Sequence, residues 1–182
     1  IEKKPLFNFF PGTTAYSLGT MGCNFRCKHC QNFDISQYPR KNRGEVLGEH
    51  RTPEQIVAAA KTAGCRTIAY TYTEPTVFFE FAYDTAVLAQ REGLKNIFVS
   101  NGYMSADAIA KIAPYLDAVN IDIKAFADNF YKEICSARLK PVLESVRLMK
   151  ALGVWVEVAT LIIPGLNDQP QELRDIAQFI KG

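Results

Sequence analysis

The sequence lacks any apolar run long enough to cross a bilayer, so no membrane-spanning helix and no membrane partner are expected. Its opening residues, IEKKPLFNFFPG, hold charge followed by aromatics. They contain no long apolar stretch and no small-residue cleavage site, so a secretory signal is not expected either. Long runs of one charge are also missing. The densest basic stretch is Arg40, Lys41 and Arg43, and the net charge of +2 is spread along the chain. Without a basic stripe or an aromatic–basic repeat, nucleic-acid binding is not expected. The composition is not that of a disordered chain either. With 48% hydrophobic and 22% charged residues it describes an ordinary globular protein, and 182 residues suffice for one domain with an apolar core.

Cysteine is sparse but clustered. Three of the five fall within eight residues, in Gly22-Cys23-Asn24-Phe25-Arg26-Cys27-Lys28-His29-Cys30-Gln31-Asn32. Such packing suits a metal site better than a disulfide framework or a redox dithiol. Thiolates are soft ligands for iron–sulfur clusters and for zinc. Three of them leave one iron of a four-iron cluster without a protein ligand and open to a bound molecule, whereas a structural metal site is closed. The alternative is a zinc knuckle with His29 or His50 as fourth ligand. Against it, zinc motifs space paired cysteines closely and add a distant second pair. Cys65 and Cys135 read as lone thiols, Cys65 in a packed position between a helix and a strand. An oxygen-sensitive cluster needs a reducing compartment, so the cytoplasm is the expected location.

Residues 1–15 read as a lead-in segment, 16–51 as a first strand (Tyr16 to Gly22) and a long polar loop over the site, and 52–182 as repeating helix and strand units of one domain. Thr52-Pro53-Glu54-Gln55 starts a helix, with Thr52 as cap and proline in the first turn. Ile56, Val57, Ala60 and Ala63 give it an apolar side, and Gly64 closes it. Strands are expected at 67–72, 96–100, 118–123 and 154–163, and helices at 76–91, 106–113, 141–152 and 171–180. About five strands rich in valine and isoleucine therefore alternate with five helices. That is the pattern of a parallel sheet covered by helices, and an open doubly wound sheet and a curved barrel both fit it. A further strand would be due after the last helix, so the chain is expected to be part of a longer protein. Polar residues sit where each strand ends, as in the active sites of both architectures.

Val119-Asn120-Ile121-Asp122-Ile123-Lys124 alternates. Asn120, Asp122 and Lys124 share one face and the three aliphatic residues the other. A polar stripe in a helix-covered sheet needs partners. Asp122 and Lys124 either pair with each other or meet a zwitterionic ligand. Glu74, after the strand at 67–72, is either a ligand-binding acid or a helix-start acid near Thr76. Asn101, in Ser100-Asn101-Gly102, is either a site residue or a turn former. Ile163-Pro164-Gly165 ends the last strand, and Glu157 alternates with Trp155 and Ala159 with no role assigned.

The CxxxCxxC pattern, with His29 just before the third cysteine, resembles the radical S-adenosylmethionine (SAM) superfamily. Lys4-Pro5-Leu6-Phe7, Phe10-Pro11-Gly12, Gly22 to Cys27, Cys30-Gln31-Asn32, Tyr72 to Thr76 and Ala137 to Val142 are similar to the AmmeMemoRadiSam-system radical SAM proteins, relatives of the pyruvate formate-lyase activating enzyme. The resemblance implies a partial (β/α) barrel of about five or six β/α units with parallel strands. It implies a [4Fe-4S] cluster on Cys23, Cys27 and Cys30, and SAM as cofactor, bound near His29, Glu74, Asn101, Asp122 and Lys124. In the resemblance Lys124 meets the methionyl carboxylate and Glu74 the methionyl ammonium. Tyr72-Thr73 stands where the superfamily has two glycines. Val99 stands where the activating enzymes carry an acid of a monovalent cation site, which argues against that site here. The implied activity is reductive cleavage of SAM to a 5'-deoxyadenosyl radical that abstracts hydrogen from a protein or a small molecule. Glycyl-radical enzyme activation is among its implied forms. Reduced flavodoxin or ferredoxin would be the electron donor, and a monomer or weak dimer is expected. The reading from another class is a non-catalytic iron–sulfur or zinc module that passes electrons or binds a partner.

Overall fold

The computed structural model describes residues 6–182. Lys4 and Pro5, quoted in the resemblance above, lie outside the described residues. Five strands, β1 (Ala15–Leu18), β2 (Thr67–Tyr70), β3 (Lys95–Ser100), β4 (Ala118–Asp122) and β5 (Trp155–Ala159), form one sheet in the order β1-β2-β3-β4-β5. All four pairings are parallel. Helices α1 (Phe33–Lys41) and α2 (Pro53–Thr62) lie between β1 and β2, α3 (Phe79–Arg91) between β2 and β3, and α4 (Ala106–Ile112) between β3 and β4. The short α5 (Asp128–Phe130) runs into a π-helical turn, Tyr131–Cys135, before α6 (Leu139–Ala151), and α7 (Pro170–Lys181) follows β5. Sequential parallel strands with helical crossovers make the expected partial (β/α) barrel. Among the described residues no helix is long and apolar enough to cross a membrane.

The two faces of the sheet differ in residue size. Ile68, Tyr70, Phe98, Val119 and Ile121 point toward the helices. They form the main core with Ile56, Val57, Ala82, Ala86, Ile109, Ile112, Val142 and Met149. On the other face the register aligns Ser17, Ala69, Ile97, Ala118 and Trp155 across all five strands. Ser17, Ala69 and Ala118 in that row are small, and Leu6 and Phe9, from the lead-in segment, pack against Ala15, Ala69, Ile97 and Ala118. Glu157, left without a role by the sequence, clasps this segment. Its carboxylate accepts the amides of Phe7 (2.7 Å) and Asn8 (3.0 Å) and the indole N–H of Trp155 (3.0 Å).

The sequence places most element ends within a few residues. The expected strand at 67–72 stops at Tyr70, because Tyr72 takes φ +69°, which no strand residue adopts. The helix expected from 76 begins as a 3₁₀ turn at Pro75–Phe78 before α3. Two elements were not expected. The stretch 31–51, read as loop, contains α1 with Pro39 inside it. Proline removes a helical donor, but tertiary bonds hold this helix: Gln37 Nε2 and Arg40 donate to the carbonyl of Phe25 at 3.1 Å each. The stretch after β4, to which no element was assigned, holds α5 and the π turn, which ends at Ser136 in the left-handed region.

Thr52 forms a full capping box. Its hydroxyl accepts the Gln55 amide (3.3 Å) while the Gln55 side chain accepts the Thr52 amide (2.9 Å). Thr52→Ala is expected to cost about 1 kcal/mol in a denaturant titration. Asp128 holds the start of α6. It accepts the Leu139 amide (3.0 Å) and the Arg138 guanidinium (3.0 Å), with Lys132 at 3.2 Å. The Leu139 amide first, then Arg138 and Lys132, bring its carboxyl down to about 2 from an ordinary value of 3.8, against an opposing push from desolvation. A depressed acid stabilises the fold above its unfolded pKa and loses that contribution as pH falls through the folded value. Melting temperatures of the native chain and Asp128→Asn should therefore differ above about pH 4 and converge toward pH 2.

Candidate functional site

The polar groups collect at the ends of the strands where the chain leaves the sheet. After β1 comes the cysteine loop, after β2 Glu74, after β3 Asn101, and at the end of β4 Asp122 with Lys124 just beyond. Gly19 allows the first two loops to approach. A Cβ there would collide with the carbonyl oxygen of Thr71.

Cys23, Cys27 and Cys30 are each partly buried, and all are free thiols. The backbone amide of Phe25 points at the Cys23 sulfur (3.4 Å), and the Asn101 amide nitrogen lies 3.7 Å from it. Burial pushes the Cys23 thiol up to about 11, against the opposing Phe25 N–H. Cys30 approaches the Ser36 hydroxyl of α1 at 3.4 Å. Three soft donors on one partly buried loop, one already met by a backbone N–H, fit an iron–sulfur cluster. The raised Cys23 keeps its proton until a metal displaces it.

Cys27 has a partner that the sequence did not reveal. Cys135, read as a lone thiol, is fully buried beside it. Their sulfurs lie within 4.8 Å of each other, and the interaction of the two thiols raises Cys27 and lowers Cys135. The cysteine loop is strapped to the π turn by two backbone bonds on either side of Cys27, Arg26 N–H to Cys135 O and Lys28 N–H to Ile134 O, both 2.9 Å. The distance in sequence, more than a hundred residues, hid this pairing. Among the described residues Cys27, His29 and Cys135 make the tight group of metal-ligating atoms, all within 4.8 Å of one another. His50, the other histidine considered as a ligand, instead lines a cleft of about 760 Å³ with Leu18, Tyr72 and Phe78. His29 packs at 5.8 Å from Phe130, and burial lowers its pKa, with Lys124 adding to the effect.

Glu74 is entirely buried and fully engaged. Oε1 accepts the Thr76 hydroxyl (2.6 Å), the Thr76 amide (3.2 Å) and the Ser100 hydroxyl (2.8 Å), and Oε2 accepts the Asn101 amide (2.8 Å). The helix-start reading is thus present in the structure, since Glu74 caps the 3₁₀ turn. Oε2 holds a single donor and keeps acceptor capacity, but the carboxylate is sealed from solvent. Burial pushes its carboxyl up, opposed by the four bonds. Asn101 continues the chain of contacts. Its amide donates to Asn24 Oδ1 (2.7 Å), and its carbonyl accepts the Tyr103 amide (2.9 Å). Glu74 therefore positions Asn101, and Asn101 positions the Cys23–Asn24 corner.

Asp122 and Lys124 pair with each other at 2.5 Å, one of the two arrangements open from the sequence. Burial draws the Lys124 pKa down, but the charge and hydrogen bond of Asp122 outweigh it and leave it raised, so the ammonium keeps its charge. The alternation is as expected: Val119, Ile121 and Ile123 all lie in the helix-side core. Asn167, buried and not singled out from the sequence, ties this end of β4 to the loop after β5. It donates to Lys124 O (2.7 Å) and Leu161 O (2.8 Å) and accepts the Ile163 amide (2.6 Å). A lone asparagine in a turn-rich stretch carried no signal that it would do so.

A profile of the family described as the Radical SAM superfamily matches residues 18–180. An uncharacterized protein of Methanocaldococcus jannaschii is 51% identical over 181 residues, covering 100% of this chain and 53% of that protein. The isethionate sulfite-lyase activating enzyme of Nitratidesulfovibrio vulgaris is 29% identical over 167 residues, covering 85% and 53%. The chain spans about half the length of these relatives. Among solved structures, Streptococcus suis SuiB bound to S-adenosylmethionine superposes with a TM-score of 0.69 at 14% identity, over 92% of this chain and 38% of that one. A radical SAM methyltransferase from Sphaerobacter thermophilus gives 0.68 at 18%, over 96% and 55%. Likeness at these identities speaks to the fold.

Proposed function

The chain belongs to the radical SAM superfamily, and on that premise we propose that Cys23, Cys27 and Cys30 hold a [4Fe-4S] cluster with which the protein cleaves S-adenosylmethionine reductively. The observation that carries this reading is the CxxxCxxC loop seated at the strand ends of a parallel sheet, inside a family match that spans the domain. A reduced cluster bound there would supply the one electron that cleaves the sulfonium to methionine and a 5'-deoxyadenosyl radical.

The chain's own residues bind and orient. Cys23, Cys27 and Cys30 would hold three irons of such a cluster and leave the fourth open to the amino and carboxylate groups of an amino acid. The Lys124 ammonium, charged and mostly enclosed, suits the methionyl carboxylate once Asp122 shares it. Asn101 and the Phe25 amide lie against the Cys23 sulfur, where donors tune a cluster's potential. Glu74 acts as the positioning residue for that corner. The substrate we propose is a partner protein or a small molecule that gives up a hydrogen atom. Similarity to a putative glycyl-radical enzyme activating enzyme of Methanocaldococcus jannaschii, 27% identical over 168 residues, favours a glycyl-radical partner, and the quoted motifs favour the AmmeMemoRadiSam group. Reduced flavodoxin or ferredoxin is the proposed electron donor, in a reducing cytoplasm.

The test is anaerobic reconstitution of the protein with iron and sulfide, reduction, addition of SAM, and quantification of 5'-deoxyadenosine. Reductant-dependent product is expected. A protein with four irons and a reducible cluster but no product would instead be an electron-transfer module.

A further inference from the structure

Cys27, His29 and Cys135 are not the cysteine motif. They draw on one residue of it, its neighbouring histidine, and a thiol from the π turn more than a hundred residues away. We propose that in the cluster-free chain these three form a mononuclear site for a thiophilic divalent ion, zinc above all, and that filling it withholds Cys27 from the cluster.

Three observations carry this. The first is distance. Two sulfurs and a nitrogen on one tetrahedral zinc lie about 3.5–3.8 Å apart, as Zn–S of about 2.3 Å and Zn–N of about 2.0 Å dictate. The three atoms already lie within 4.8 Å of one another, so side-chain rotation of about an ångström closes the set around one ion. The second is support. The two backbone bonds from Arg26 and Lys28 to Cys135 and Ile134 fix the loop against the π turn. Phe25 against Tyr131 (5.2 Å for its other neighbour Tyr103, 6.1 Å here) and His29 against Phe130 hold the same seam. Ligands held on segments that are already joined bind a metal without first ordering the chain. The third is an orphan. The Nδ1 of His29 is buried with no hydrogen-bond partner, and a buried polar atom of this kind calls for one. An ion bound through Nδ1 would supply it.

Two thiols and an imidazole are a donor set that zinc prefers and that magnesium or calcium does not. Three protein ligands leave a fourth position for water. Binding exchanges the two thiol protons for the ion, with no change of oxidation state. Cys23 and Cys30 remain outside. The mononuclear site stands on geometry alone; its competition with the cluster rests on the function proposed above.

The experiment uses the full, reduced, metal-free chain, titrated anaerobically with cobalt(II) as an optical stand-in for zinc. One equivalent should give thiolate-to-cobalt charge transfer and the visible bands of a tetrahedral site, and zinc should erase them. Cys135→Ser and His29→Ala should each weaken binding by more than about tenfold, whereas Cys23→Ser and Cys30→Ser should leave it unchanged. Zinc should slow iron and sulfide uptake in the native chain and leave the rate in Cys135→Ser unaltered. If Cys135→Ser proves insoluble, His29→Ala, on a partly exposed loop, decides the matter alone. Equal loss in Cys23→Ser or Cys30→Ser would place the ion on the cysteine motif and overturn the proposal, as would a spectrum without charge transfer. Normal cobalt binding in a chain that never assembles a cluster would support the site and count against the proposed function instead.

Discussion

Cys23→Ser is expected to leave the protein folded, without a four-iron cluster, and with 5'-deoxyadenosine formation at background. Serine preserves size, and its oxygen can accept the Phe25 amide that now meets the sulfur at 3.4 Å, so the corner keeps its shape. What it cannot supply is a soft anionic donor. An alkoxide is a harder ligand than a thiolate, and a hydroxyl gives up its proton far less readily. Two thiolates remain, one of which, Cys27, also has Cys135 as a competing partner. Cys135 does not substitute for Cys23, because it is fully buried in the π turn, where it meets Cys27 and His29. Iron and sulfide content after reconstitution checks the first half of this expectation, and product after reduction the second. A circular dichroism spectrum like that of the native chain guards against unfolding as the cause. Four irons and full SAM cleavage in this variant would refute the assignment of Cys23 as a ligand.

Glu74→Ala is expected to be the most destabilising single change at the site, by about 4 kcal/mol, because it strands two backbone amides and two hydroxyls in a sealed interior where each lost partner costs about 1–3 kcal/mol. The hydroxyls of Thr76 and Ser100 can turn to other acceptors, which keeps the sum below the upper bound. The amides of Thr76 and Asn101 cannot turn. Glu74→Gln separates charge from shape. Its oxygen can serve Asn101, and its NH₂ can donate to the two hydroxyls, but that NH₂ then faces the Thr76 amide. About half the alanine penalty is expected, near 2 kcal/mol, for one unsatisfied donor. Urea unfolding midpoints of the three proteins check the order native, glutamine, alanine. An alanine variant as stable as the native chain would show that the four bonds contribute nothing net.

The sequence was most legible where chemistry and periodicity are local. The alternation from Val119 to Lys124 assigned both faces of β4 correctly, and Thr52 with Gln55 announced its cap. Three cysteines within eight residues pointed to a metal site. Legibility failed where a contact joins distant segments. Helix α1 carries a proline and little apolar surface, and it is held by bonds to the Phe25 carbonyl that no local pattern encodes. Cys135 looked solitary because its partner lies on another loop. Glu74 was legible as a helix-start acid near Thr76, but not as the acceptor of Ser100 and Asn101, which come from another strand end. Glu157 and Asn167 gave no signal, since a single polar residue in a strand or turn says nothing about what it will fasten.

The clasp of Glu157 on residues 7 and 8 has a kinetic consequence. The carboxylate and the amides it accepts are 149 and 150 residues apart, nearly the full described length. Closing so long a loop is entropically unfavourable until intervening contacts have shortened it. The lead-in segment can therefore lock only after β1 to β5 have assembled, and it becomes the last piece of the sheet's inner face to set. Once set, it joins the first edge strand to the last, so neither edge can peel away without breaking the same bonds. Hydrogen exchange reads this directly: the amides of Phe7 and Asn8 should acquire protection late in refolding and then lose it together with β5, as one cooperative unit rather than as a fraying end.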